Sequence, residues 1–257
     1  MPSNVDEQIA HTMEVELQLL PHLPELLADL EELGTSAVDI VNALRGAAVE
    51  AGSSVLDLGC GKGAVAVALA ERLSLWVEGI DAFPPFLDAA RALAAERGVA
   101  ARCEFREGDI RDFLGQSGQY DALLLLSVGP VSGDHQSTVR DLRRLVRPGG
   151  IIVIEDAFLA DAAACAPEWE GYATRAETLR RLTAFGDVLI HETVCAPDQT
   201  RSLNEGNTAL IRQRARQLQA SHPDLAVAID AYVARQERET QILGQDLLCA
   251  VWALRRL

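Results

Sequence analysis

Val55-Leu56-Asp57-Leu58-Gly59-Cys60-Gly61-Lys62-Gly63 is an apolar run with an acid near its end, followed by three alternating glycines. It reads as a buried strand that turns into a helix. A glycine has no Cβ, so its backbone approaches a ligand closely or takes positive φ. The amides that open the following helix then face a bound anion.

Outward from this turn, strand-like and helix-like segments alternate, which predicts a parallel sheet covered on both faces. The first helix, Ala64 to Leu73, is rich in alanine and valine and presses close to the sheet. A second strand, from Trp76, ends at Asp81. Pro84 and Pro85 suit a helix start and Gly98 its stop. The third strand spans Ala101 to Glu107. The fourth, Tyr120 to Leu126, is almost continuously apolar, as an interior parallel strand is. Its helix is expected from Thr138 to Val146, and a fifth strand from Ile151 to Glu155. A helix at Arg175–Phe185, a sixth strand at Val188–Val194 and a closing strand at Leu247–Leu254 complete the pattern.

Composition narrows the class. The 257 residues are 49% hydrophobic and 24% charged, ordinary for a globular protein. No apolar run reaches the roughly 18–20 residues that span a bilayer. Met1 to Glu7 is acidic and lacks the basic and apolar regions of a signal peptide, so a cytoplasmic location is expected. Net charge is −15, without the basic stripe that recruits phosphates, so neither nucleic acid nor an anionic membrane is expected as partner. The densest basic patch, Arg140, Arg143, Arg144 and Arg147, reads as a solvated helix face. Five scattered cysteines without a C-x-x-C pair suggest neither disulfide framework nor zinc site.

Gly59-x-Gly61-x-x-Ala64 also satisfies the fingerprint of nicotinamide dinucleotide enzymes, and Asp81 is the ribose-binding acid of either reading. Three features separate the two. Asp57 stands two residues before the first glycine, where a carboxylate meets an ammonium group. Gly108-Asp109-Ile110 follows the third strand, placing an acid to accept from an adenine amino group. Arg147-Pro148-Gly149-Gly150 turns into the run Ile151–Ile154. Together these resemble the class I S-adenosylmethionine (SAM)-dependent methyltransferases, over roughly residues 50 to 160.

The resemblance implies a doubly wound α/β fold: a mostly parallel seven-stranded sheet whose antiparallel last strand inserts beside the fifth. It implies SAM as cofactor and S-adenosylhomocysteine as product. Asp57, Gly59, Cys60, Gly61 and Gly63 look like the methionine-binding turn, with Cys60 a small filler there. Asp81 looks like the ribose acid, Ala82 and Phe83 pack on adenine, and Asp109 with Ile110 contacts its edge. Ser127, ending the fourth strand, lies near the methionine amine and the reacting methyl.

Methyl transfer is an in-line displacement with an excellent leaving group, so alignment and exclusion of water dominate. A base is needed where the acceptor is protonated at neutral pH. His135, on the loop after the fourth strand, and Asp156, after the fifth, are the candidate catalytic residues; a solvated or helix-capping role is the plainer reading of His135. Glu155, Asp156 and Asp134 raise a divalent-metal site like that of catechol-type methyltransferases. That pattern needs an acid directly after the fourth strand, where Ser127 and Val128 stand, so no metal is expected. His191 reads as a core or edge histidine, and Trp169 and Tyr172 as pocket walls or surface-loop residues. Ser127-Val128-Gly129-Pro130 does not match the [Asp/Asn]-Pro-Pro-[Tyr/Phe] motif of amino-methylating nucleic-acid enzymes.

Leu17, Leu20, Leu23, Leu27 and Leu30 recur at helical spacing, broken by Pro21 and Pro24. Thr35 or Ser36 caps a further helix through Ala48. Leu203, Leu210, Ile211 and Leu218 form a late stripe, and Pro223 opens a helix carrying Leu225, Ile229, Tyr232 and Val233. The expected division is a helical cap at 1–50, a SAM-binding core at 51–200, a helical insertion at 201–245 and a closing strand at 246–257. Cap and insertion are read as packing on each other over the acceptor pocket; edge stabilisation or a homodimer contact is the plainer alternative. The implied function is methyl transfer to an O, N or C atom of a small molecule. The alternatives are a protein or peptide methyltransferase, or a SAM-binding protein of this fold without methyl transfer.

Overall fold

A computed structural model describes residues 4–160, 171–243 and 245–257. In chain order its elements are α1 (Asn4–Thr12), α2 (Leu23–Leu26), α3 (Ala37–Gly46), β1 (Ser54–Leu58), α4 (Ala64–Leu73), β2 (Trp76–Asp81), α5 (Pro84–Glu96), β3 (Cys103–Glu107), α6 (Ile110–Leu114), β4 (Tyr120–Leu126), α7 (His135–Leu142), β5 (Val146–Leu159), α8 (Arg175–Leu182), β6 (Val188–Val194), α9 (Pro197–Ser221), α10 (Ala226–Ile242) and β7 (Leu247–Arg255). They form two compact units, 1–31 with 196–245, and 32–195 with 246–257. Among the described residues no helix is long and apolar enough to cross a membrane.

The larger unit is a seven-stranded sheet in the order β3-β2-β1-β4-β5-β7-β6. β1 to β5 run parallel, and β7 is antiparallel to both β5 and β6. β1 and β4 are buried almost throughout, because helices cover both faces. On one face Ile40 and Leu44 of α3, Leu69 of α4 and Ala90 of α5 pack on Val55, Leu124, Val153 and Val251. On the other, Val139 and Leu142 of α7 and Leu182 of α8 pack on Leu56, Leu125, Ile154 and Trp252. Register aligns Leu58 with Ile80 and Leu125, and Leu126 with Glu155. The residues that follow, Gly59, Asp81, Ser127 and Asp156, therefore share the carboxyl edge, where open α/β folds bind ligands.

Several boundaries differ from expectation. α3 lies in the sheet's core, so the expected cap at 1–50 divides: residues 32–50 belong to the sheet unit. β5 extends to Leu159 because Ile151–Leu159 pairs along all of β7. α7 starts at His135 rather than Thr138, since Asp134 caps it by accepting from Ser137 N–H at 2.7 Å. Ala100–Arg102 is a 3₁₀ turn preceding β3.

The smaller unit is helical. Leu19, Leu20, Leu23 and Leu26 are buried within it, as are Ile211, Ala215 and Leu218 of α9 and Ile229 and Tyr232 of α10. Leu203 and Leu210, expected in the buried stripe, are exposed; the buried face of α9 runs Thr208, Ile211, Ala215, Leu218, a truer 3.6-residue period. Arg214 pairs with Asp29 (Nε–Oδ2 2.6 Å), and the rings of His22 and His222 lie 4.6 Å apart.

Candidate functional site

The glycine turn is pinned by its neighbour strand. Gly59 and Cys60 N–H donate to Ile80 O at 2.8 and 3.0 Å, and Gly61 N–H donates to Asp81 Oδ2 at 2.8 Å. Gly59, Gly61 and Gly63 take φ of +80°, +52° and +78°. Space is equally restrictive: a Cβ on Gly59 would stand 2.7 Å from Val128 Cγ2, and one on Gly63 2.6 Å from Ala90 Cβ. Gly63 then opens α4 with no side-chain cap, so amide donors at that helix start are left to a ligand or water.

Two acids sit beneath this turn. Asp57 is 2% exposed, and burial together with the charge of Asp81 pushes it up to about 7. Burial raises Asp81 as well, opposed by the amides of Phe83, Gly61 and Ala82. Such a pair favours a cation, whose charge would offset the cost of ionising both. The Cys60 thiol is pushed up by burial and by both acids; it stays protonated and fills space against Gly79.

The remaining expected cofactor residues are engaged as follows. Phe83 is buried, with its ring edge-on to Phe86 at 4.8 Å, while Ala82 is half-buried. Ile110 lies over Gly59, 3.4 Å from where a Cβ would be. Asp109 caps α6 through Arg111 N–H at 2.8 Å and accepts from Arg111 Nε at 2.9 Å, bonds that hold its carboxyl below the usual range.

Where β4 ends beside β5, the structure assembles a cluster of three residues. Ser127 takes φ +54°, a left-handed conformation rare for a residue with a Cβ. Its hydroxyl donates to Glu155 Oε2 at 3.0 Å and lies 3.1 Å from Thr35 Oγ1, which also donates to Glu155. Ser36, not Thr35, caps α3, leaving Thr35 free to turn inward. Burial pushes Glu155 up to about 7, opposed by the two hydroxyls. The segment carrying Thr35 also bears on the glycine turn, because Leu33 Cδ1 lies 3.2 Å from where a Cβ on Gly61 would be. Sequence reading placed Glu155 only in a metal set and Thr35 only as a cap. The missed signal was strand alternation: Glu155 shares a face with Ile151 and Val153, toward α3.

His135 and Asp156 meet on the opposite face, Nε2 to Oδ2 2.9 Å, both side chains largely buried. Asp134, Glu155 and Asp156 thus do not converge, and no group of three or more metal-ligating side chains occurs among the described residues. His191 is half-buried on edge strand β6, 2.9 Å from Thr193 Oγ1. Tyr172 is exposed, and Trp169 lies outside the described residues. Arg140, Arg143 and Arg147 are paired with Asp141, Asp187 and Asp121.

Residues 55–150 match a family model described as a methyltransferase domain. Over 123 residues the chain is 36% identical to the 2-heptyl-1-hydroxyquinolin-4(1H)-one methyltransferase of Mycobacteroides abscessus, covering 46% of this chain and 50% of that protein. The chain spans from 28% to 50% of the length of four curated relatives it matches. A SAM-dependent methyltransferase of Geobacter sulfurreducens, solved with S-adenosyl-L-homocysteine, aligns at TM-score 0.73 and 23% identity, covering 86% of this chain and 90% of that one. The [4+2]-cyclase SpnF aligns at TM-score 0.71 and 18% identity, covering 100% and 97%. Residues 55–150 thus resemble a methyltransferase domain, and the sheet that carries them has the class I fold seen in the SAM-dependent methyltransferase structures it aligns with.

Proposed function

We propose that this chain binds SAM at the glycine turn and transfers its methyl group to an O, N or C atom of a small molecule. The observation that carries the reading is the pair of buried acids, Asp57 and Asp81, under an uncapped helix start. SAM fits that donor set. Its ammonium would relieve the two carboxylates, and its carboxylate suits the free amides of α4.

In this reading Asp57 and the turn Gly59–Gly63 hold the amino-acid end. Asp81, whose two oxygens already accept from Gly61 and Phe83 N–H, uses its remaining lone pairs on ribose hydroxyls. Ala82, Phe83, Asp109 and Ile110 border the adenine. When bound, SAM supplies a methyl group on an electron-poor sulfonium. Ser127, and Val128, which packs against Gly59, border the place where an acceptor must be aligned and kept dry.

The acceptor reading draws support from the hydroxyquinolone methyltransferase likeness. The likeness to a cyclase keeps a second reading, SAM binding without methyl transfer.

Calorimetry with SAM, S-adenosylhomocysteine and NADH tests the cofactor. Binding of NADH without SAM would reject it. Release of S-adenosylhomocysteine with small phenols and amines, but not with folded proteins, separates a small-molecule transferase from both alternatives.

A further inference from the structure

We propose that Glu155, acting through Ser127, takes up the proton that an O–H or N–H acceptor loses as it is methylated, so that this proton replaces the sulfonium charge in the site. The proposal rests on SAM being the cofactor.

The geometry carries it. Glu155 is 7% exposed within β5, level with the end of β4, and its Oε2 accepts from the hydroxyls of both Ser127 and Thr35. Ser127 itself is exposed at the end of β4 and reaches from solvent to the buried carboxylate. Val128, the next residue, contacts the glycine turn where the cofactor's amino-acid end would lie. Among the described residues, the other charged groups that act on Glu155 are Asp39 of α3 and, from the opposite face of β5, its neighbour Asp156; the Cys195 thiol also senses its charge. None of these supplies the positive charge that a buried carboxylate needs. A sulfonium nearby would supply it, and would be lost at the moment of transfer.

The balance closes. The acceptor's O–H or N–H bond breaks and its electron pair forms the new bond to the methyl carbon. The carbon–sulfur pair returns to sulfur. The proton passes to Ser127 Oγ as the serine's own hydrogen moves to Glu155. A carboxylate beside a sulfonium thereby becomes a neutral carboxyl beside a neutral thioether, with no net charge change in a buried site. Acceptors that carry no ionisable proton would leave Glu155 unused.

SAM and S-adenosylhomocysteine differ in the sulfonium and share the ammonium, so Asp57 and Asp81 respond alike to both. Calorimetry in buffers of different ionisation enthalpy counts the protons released on binding each. At pH 7 the wild type should release more with SAM than with S-adenosylhomocysteine, by up to about half a proton for a group titrating near neutrality. Glu155→Gln should abolish that difference while still binding both. Equal release in the wild type, or a difference that persists in Glu155→Gln, overturns the proposal. Binding of neither ligand instead overturns the cofactor reading.

A measurement on the wild type guards against a misfolded variant. With carboxyl-labelled glutamate, the infrared band of a protonated glutamic acid should be stronger with S-adenosylhomocysteine than with SAM. An identical band in the two complexes counts against Glu155.

Discussion

His135 and Glu155 stand on opposite faces of β5: His135 closes on Asp156 at 2.9 Å beneath α7, while Glu155 turns toward Thr35 and Ser127. The histidine is therefore occupied in tying α7 to the sheet. His135→Asn should cost roughly 1–3 kcal/mol, the penalty of leaving a buried polar partner unmatched. Urea denaturation measures that loss. If instead stability holds and the low-pH limb of the rate profile disappears, His135 is the base.

Asp57 is a liability until a cation arrives. Its folded pKa, about 7, lies above that of an ordinary carboxyl, so between the two values the native state binds more protons than the unfolded chain. The sign follows: its contribution to stability falls as pH rises from about 4 to 7, then levels. Asp57→Asn should raise the melting temperature of the ligand-free protein at pH 8 and flatten its pH dependence. The same variant should bind S-adenosylhomocysteine more weakly. A variant less stable than wild type at pH 8 would refute the account.

Asp81 joins the turn to β2 and is assigned to the ribose. Asp81→Ala should weaken cofactor binding by roughly 1.5–3 kcal/mol, the range for hydrogen bonds to charged groups. Because Gly61 N–H also loses its acceptor, Asp81→Asn is the companion variant. Unchanged affinity in both, read by calorimetry, would remove the ribose assignment.

Gly63 tests the turn itself. An alanine there would need positive φ and would bring its Cβ to 2.6 Å from Ala90 Cβ. Gly63→Ala should destabilise by roughly 2–4 kcal/mol from overpacking and left-handed strain together. Gly52→Ala, also at positive φ but with open space around it, should cost only the strain, about 1 kcal/mol. Equal losses in chemical denaturation would show that Ala90 yields.

The chain by itself determined the sheet, its strand-by-strand march and the acid-and-glycine turn, because those depend on local patterns. A short apolar run such as Leu123–Leu126, set among alternating strand and helix segments, reads as an interior strand, and Asp57 lies within a few residues of the glycines it serves. The helix at 37–46 was legible too, but its membership was not, since an apolar stripe does not name the face it will cover. Tertiary structure alone decided which acids meet. Ser127 and Glu155 lie 92 and 120 residues beyond Thr35, and Asp156 lies 21 beyond His135. Alternation along β5 says that Glu155 and Asp156 point apart, but not which helix waits on either side. That is settled when β4, β5 and β7 come into register, and α3 closes one face and α7 the other.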